Sequence, residues 1–213
     1  MAKPELLVSH YQKTHEVTLE MWKQRNRLFL YLLIVVGVAS FLALGPQEAH
    51  SLLVDMLAKI LDISDNERID ELRTSFPYNL IQTLLLIVVF YLMVNLYHRS
   101  RFVIRNYMYL GFLEKEIRQE LKLSKADAAF TRESRFYWRT RDSLAWLVKW
   151  AFFILLGGLL ALFLGSRIVC DVTNGEIFFI IVDLAAAALI VVFYVGYIFS
   201  SVRLEQESQE MSL

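Results

Sequence analysis

The chain has 213 residues, 56% of them hydrophobic and 14% aromatic, an apolar load too large for so short a chain to bury in water. Its 22 basic and 22 acidic residues cancel, which excludes recruitment of nucleic acid or an acidic partner by bulk charge. A single cysteine, Cys170, excludes an intrachain disulfide and a cysteine-rich metal cage.

The expected fold class is all-α: a polytopic membrane protein of four transmembrane helices with a helical cytoplasmic module. Residues 1–27 are polar, and Pro4 suits a helix start with no further Pro or Gly before Gly37. This N-terminal helix is expected to feed directly into the first span. Leu7, Tyr11, Thr14, Thr18 and Trp22 fall on one face, suited to the membrane surface or a neighbouring helix. His10 and His15 are five apart and so on different faces, without a Cys, Asp or Glu to complete a metal set; no metal is expected. The long polar lead is unlike a cleaved signal peptide, so the first apolar segment reads as a retained anchor.

Four segments match the roughly 20 apolar residues that cross about 30 Å of hydrocarbon: Leu28–Leu44, Tyr78–Tyr97, Leu144–Gly165 and Ile177–Phe199. The first pair and its connection occupy residues 28–97, and Arg25 and Arg27 can snorkel at the start of the first span. The loop at 45–77 is acidic, with three basic and seven acidic residues. Within it Leu52, Leu53, Met56, Leu57, Ile60 and Leu61 share a face, which predicts a small amphipathic helix on the outer surface. A polar turn and a second short helix follow over Asp62–Arg73, closed by Pro77.

Beyond the second span, Val103, Tyr107, Leu110, Leu113, Ile117 and Leu121 recur at spacings of three and four. That stripe predicts that the span continues as one long helix into segment 98–143, with Glu114 and Arg118 as a flanking i,i+4 pair. Such a stripe needs a partner, either the N-terminal helix or another subunit. Ser124, three residues before Asp127, suits the cap of a further short helix. Arg132, Arg135, Arg139 and Arg141 then interleave with Phe136, Tyr137 and Trp138. Such a run suits a protein partner, anionic headgroups, nucleotide or RNA, although nothing in it indicates nucleic acid specifically. The plainer reading is a juxtamembrane basic segment.

The second pair of spans covers 144–199. Gly157, Gly158, Ala161 and Gly165 on the third span, and Ala185–Ala188 on the fourth, are small residues of the kind that let helices approach closely. Asp183 is an ionisable residue about 10 Å into the fourth span. Gln82 and Thr83 fall at comparable depth on the second span, as hydrogen-bond partners for Asp183 in either a structural clasp or an ion or proton pathway. The acidic tail within 200–213, from Glu205 onward, is expected to be disordered.

Basic residues number five in 1–27 and eleven in 98–143, against three in 45–77 and Arg167 alone in the last hairpin. The basic ends are expected on the cytoplasmic side of the cell inner membrane, with both termini there. Trp22, Tyr97, Trp146 and Trp150 mark the same boundary. No P-loop, Gly-rich dinucleotide turn, G-x-S-x-G elbow or H-E-x-x-H helix occurs, so neither an enzyme nor a cofactor is expected.

The opening HYQKTHEVTLEMWKQRNRLFLYLL, a polar helix feeding a span and followed by a second span and a basic helix, resembles the layout of SLATT-type membrane proteins. Those are small bacterial effectors that form pores or perturb the membrane when a cytoplasmic partner senses infection. The layout is similar also to small four-span defence subunits such as the membrane component of the Kiwa system. The likeness is one of layout as far as the basic helix, with the surroundings of Trp22, Arg25 and Asn26 as its only local part; the acidic outer loop and second pair of spans are additions. It implies a homo-oligomeric membrane effector that couples a cytoplasmic partner to the bilayer in antiviral defence, and carries over no functional residue. A channel or transporter using Asp183, and a scaffold anchoring a neighbouring enzyme, are the alternatives.

Overall fold

A computed structural model describes residues 3–44, 46–63, 65–75, 78–124, 130, 143–174 and 177–212. Six helices form among them: α1 (Lys3–Leu44), α2 (Pro46–Ile60), α3 (Asn66–Ser75), α4 (Tyr78–Glu120), α5 (Ser143–Asn174) and α6 (Ile177–Ser212). Of these, α1, α4, α5 and α6 are long and apolar enough to cross a membrane, the pattern of a multi-pass membrane protein.

The long helices bury residues at alternating steps of three and four. On α4 the sequence of buried positions runs Gln82, Leu86, Val89, Met93, Leu96, Ser100 and Val103, then through half-buried Tyr107 to Leu110, Glu114 and Ile117. On α5 it runs Phe153, Leu156, Leu160, Phe163, Arg167 and Asp171, and on α6 Asp183, Ala187, Ile190 and Tyr197. A 3.5-residue repeat of this kind is the seam of left-handed helix packing. In lipid an apolar seam gains dispersion but little hydrophobic driving force, so the polar residues set into it matter more to cohesion than their number suggests.

Helix ends follow local chemistry. At the end of α2, Asp62 N–H donates to the Lys59 carbonyl and Ile63 N–H to the Ala58 carbonyl, with Asp62 at φ 57°. At the end of α4, Lys122 N–H donates to Gln119 and Leu123 N–H to Arg118, with Lys122 at φ 51°. Both are Schellman closures in which a non-glycine residue takes the left-handed position. Helix α3 begins after Asp65, a favoured N-cap type, whose carbonyl accepts the Ile69 N–H.

Two helices differ in length from the expectation. Helix α5 does not end at Gly165 but continues to Asn174, since no proline intervenes and Ser166 Oγ returns its proton to the Leu162 and Phe163 carbonyls. Arg167 is therefore a helix residue and not a loop cation. Helix α6 runs to Ser212, so the tail from Glu205 is helical; its Leu, Glu, Gln and Met residues are strong helix formers.

The chain forms two compact units, Met1–Phe29, Val94–Phe153 and Phe193–Leu213 in one, and Leu30–Met93 and Ile154–Val192 in the other. In the first, Phe29 meets Phe152 edge-on at 5.6 Å, Tyr97 meets Phe193 at 5.5 Å, and Phe153 meets Tyr197 at 5.5 Å. Tyr194 donates to the Phe153 carbonyl at 2.6 Å, and Lys149 to the Ser201 carbonyl at 2.9 Å. Gly196 permits close approach here, because a Cβ on it would stand 3.1 Å from the Tyr97 ring.

In the second unit, Ser40 bridges α1 to α5 through the Leu159 carbonyl at 3.1 Å. Helix α2 turns Val54 and Ala58 inward and leaves Leu52, Met56, Ile60 and Leu61 exposed, an apolar face suited to lipid. Arg73 ties α3 to α2 by donating to Asp55 at 2.9 Å, and that hydrogen bond and the Asp55 charge hold its guanidinium above the ordinary arginine value. The pair is exposed, so it orients the short helices more than it stabilises them.

Candidate functional site: a buried guanidinium among three helices

The seam of α5 places Arg167 four residues after Phe163 on the buried face, with Asp171 one turn further on. The Arg167 guanidinium meets α4 and α6 together. Its Nε donates to Asp183 Oδ2 at 2.6 Å, Nη1 to Gln82 Oε1 at 2.7 Å, and Nη2 to Thr83 Oγ1 at 3.2 Å. Nη2 also lies 3.1 Å from Asp171 Oδ1. Arg167 and Asp183 are each 1% exposed, so this is a closed cluster and not a surface ion pair.

A charge in such surroundings is tolerated only if it is paired and its donors are used. Arginine suits the position because its planar fork can address several acceptors at once. One guanidinium here faces two carboxylates, and Asp183 Oδ1 has no hydrogen-bond partner among the described residues. The arrangement can clasp three helices, and its second carboxylate gives it one acidic group more than a simple pair.

Gln82, Thr83 and Asp183, the residues expected to meet at depth, lie together, but not as direct partners. Each bonds to Arg167, which stands between them. Arg167, read from the sequence as a hairpin cation, and Asp171 are not among the expected site residues, because hydropathy ends the span at Gly165. Extending the three-four spacing from Phe153 through Phe163 would have put both on the buried face.

Of the two partners expected for the α4 stripe, the N-terminal helix of the same chain is the one that meets this segment. Val103, Leu110, Leu113 and Ile117 are buried, Tyr107 is half-buried, and Leu121 alone is exposed. The N-terminal part of α1 reaches this segment: Tyr11 donates to Glu114 Oε1 at 3.0 Å, and His10 Nε2 shares a hydrogen bond with Tyr109 Oη at 2.9 Å. Glu114 is fully buried, and Arg118 donates to the Ser124 carbonyl at 2.6 Å. On the α1 face that carries Tyr11, Thr18 and Trp22, Thr18 is buried and Trp22 is 40% exposed.

Of the small residues of α5 expected at helix contacts, Gly157 is half-buried. Gly158, Ala161 and Gly165 are exposed, and a Cβ at either glycine meets nothing within 4 Å. On α6, Ala187 is buried while Ala185 and Ala188 are exposed. Arg132, Arg135, Trp138, Arg139 and Arg141, the proposed phosphate or partner surface, lie outside the described residues, as does Asp127. No protein-family model, curated protein or solved structure matches the chain.

Proposed function

We propose that the chain is a non-enzymatic, oligomeric subunit of the cell inner membrane that couples a cytoplasmic protein partner to the bilayer, in the antiviral-defence setting its layout implies. The observation that carries this reading is the closure of the Arg167 cluster: Arg167 pairs with Asp171 and Asp183 on α5 and α6 and donates to the neutral Gln82 and Thr83 on α4. An interior committed to holding helices together leaves the surface to do the work. The outward Gly158, Ala161 and Gly165 favour contact between copies in lipid, where small residues allow backbones to approach. The excess of basic residues in 1–27 and 98–143 favours a cytoplasmic position for those segments and for both termini.

A membrane-impermeant thiol reagent applied to intact cells tests the orientation. With Cys170 replaced by Ser, a cysteine at Lys13 should stay unlabelled until the membrane is opened, whereas one at Asp65 should label at once. The reverse pattern overturns the orientation. Particle mass in mild detergent tests the association, and a monomer that retains no protein partner overturns it.

A second reading is favoured by the two carboxylates on one guanidinium: a proton or ion pathway through Asp183. It requires that proteoliposomes show a flux that Asp183→Asn abolishes at unchanged protein level. Equal flux in both proteins removes it.

A further inference from the structure

The first unit contains an open groove of about 620 Å³ that the Arg167 cluster does not involve. One wall is α4, through Tyr97, His98, Arg99, Arg101, Phe102 and Arg105; the other is α1, through Met21 and Gln24. Three of the lining residues are arginines, and none is acidic. The remainder of the lining is largely aromatic or thioether.

The arginines are not equivalent. Arg99 donates to Gln24 Oε1, which joins the two walls. Arg101 donates to Tyr97 Oη at 3.0 Å and its guanidinium stands 5.8 Å from that ring, so it is held along the wall while remaining exposed. Arg105, one turn further, is exposed and has no hydrogen bond or ion pair among the described residues. The groove thus concentrates positive charge that its own walls do not neutralise.

Its level in the chain fits one ligand class. The apolar run Tyr78–Tyr97 covers about 30 Å of helix, and Arg105 follows Tyr97 by about 12 Å, which places the arginines at and just beyond the headgroup layer. Arginine forks match phosphate oxygens, and the apolar lining suits the glyceryl and upper acyl part of a lipid. We propose that this groove binds the headgroup of an anionic phospholipid. The proposal rests on the membrane reading, whose failure would show separately as protein recovered in the soluble fraction.

The test is lipid retention by the full chain, read by native mass spectrometry after titration with phosphatidylglycerol or phosphatidylcholine. Phosphatidylglycerol should be retained in preference. Each arginine near a charged headgroup contributes about fivefold, so Arg101→Gln with Arg105→Gln should weaken phosphatidylglycerol retention on the order of twentyfold. A charge-matched control, Lys13→Gln with Lys115→Gln, lies outside the groove and should retain the lipid as wild type does. If the double variant loses its helical spectrum, Arg105→Gln alone, which breaks no described bond, should still weaken retention about fivefold. Equal retention of the two lipids, or equal weakening in the control, overturns the proposal. Displacement of the lipid by millimolar inorganic phosphate would assign the groove to free phosphate and likewise overturn it.

Discussion

Replacing Arg167 by Met removes the one group to which Asp183, Asp171, Gln82 and Thr83 all turn. Buried Asp183 then loses its counter-charge, and breaking a buried pair from one side costs about 3–5 kcal/mol. For a chain of this size that corresponds to a fall in melting temperature of roughly 6–20 °C. A neutral interhelical hydrogen bond in a membrane protein contributes only about 0.6 kcal/mol, so Thr83→Ala should lower the melting point by roughly 1–2 °C. Asp183→Leu should fall between these, because Asp171 still faces the guanidinium. The triple variant Arg167→Met, Asp171→Asn, Asp183→Leu discards the charges together and should recover to within about 2 kcal/mol of wild type. The assay is thermal loss of helical circular dichroism in one detergent for all variants. An Arg167→Met protein that melts within 2 °C of wild type, or a triple variant as unstable as Arg167→Met, would refute the clasp.

Tyr11→Phe deletes the donor to buried Glu114 and should cost about 1.5–3 kcal/mol, as hydrogen bonds to charged groups do, seen as earlier proteolysis of the N-terminal helix. Lys122→Gly should stabilise the protein by about 0.5–1 kcal/mol, because glycine holds the left-handed closure of α4 without Cβ strain; chemical denaturation in detergent would register it. Gly196→Leu would drive a side chain into the Tyr97 ring and should destabilise by about 1–3 kcal/mol on the same denaturation assay, whereas Gly158→Leu, facing open space, should leave monomer stability unchanged.

How much of this could be read from residue order depends on whether the signal is local. The four long apolar helices are a local property, and so is the continuity of α4 into the basic segment, since no Pro interrupts it. Depth counting was enough to single out Gln82, Thr83 and Asp183, because a polar residue in an apolar run is conspicuous. Arg167 was not, because a charged residue beyond a glycine at the end of such a run looks like an interfacial loop. Only the seam spacing and the absence of a breaker reveal that the helix continues. Which of its two expected partners meets the α4 stripe is not a local property either. Periodicity shows that Val103, Leu110 and Ile117 need cover, but Tyr11 and His10 meet that segment across about a hundred residues of chain, and no local pattern encodes that pairing. The outward placement of Gly158 and Gly165 has the same origin: small residues announce a close contact without saying whether its other half is in the same chain.

Whether the protein works by association is decided most directly by particle mass. Light scattering of the purified chain in a mild detergent should give a protein mass several times 24.9 kDa, and Gly158→Leu with Gly165→Leu should reduce it toward that value without loss of helix. A wild-type mass of one chain with no co-purifying protein, under the gentlest extraction that keeps the helices folded, would contradict the proposed role.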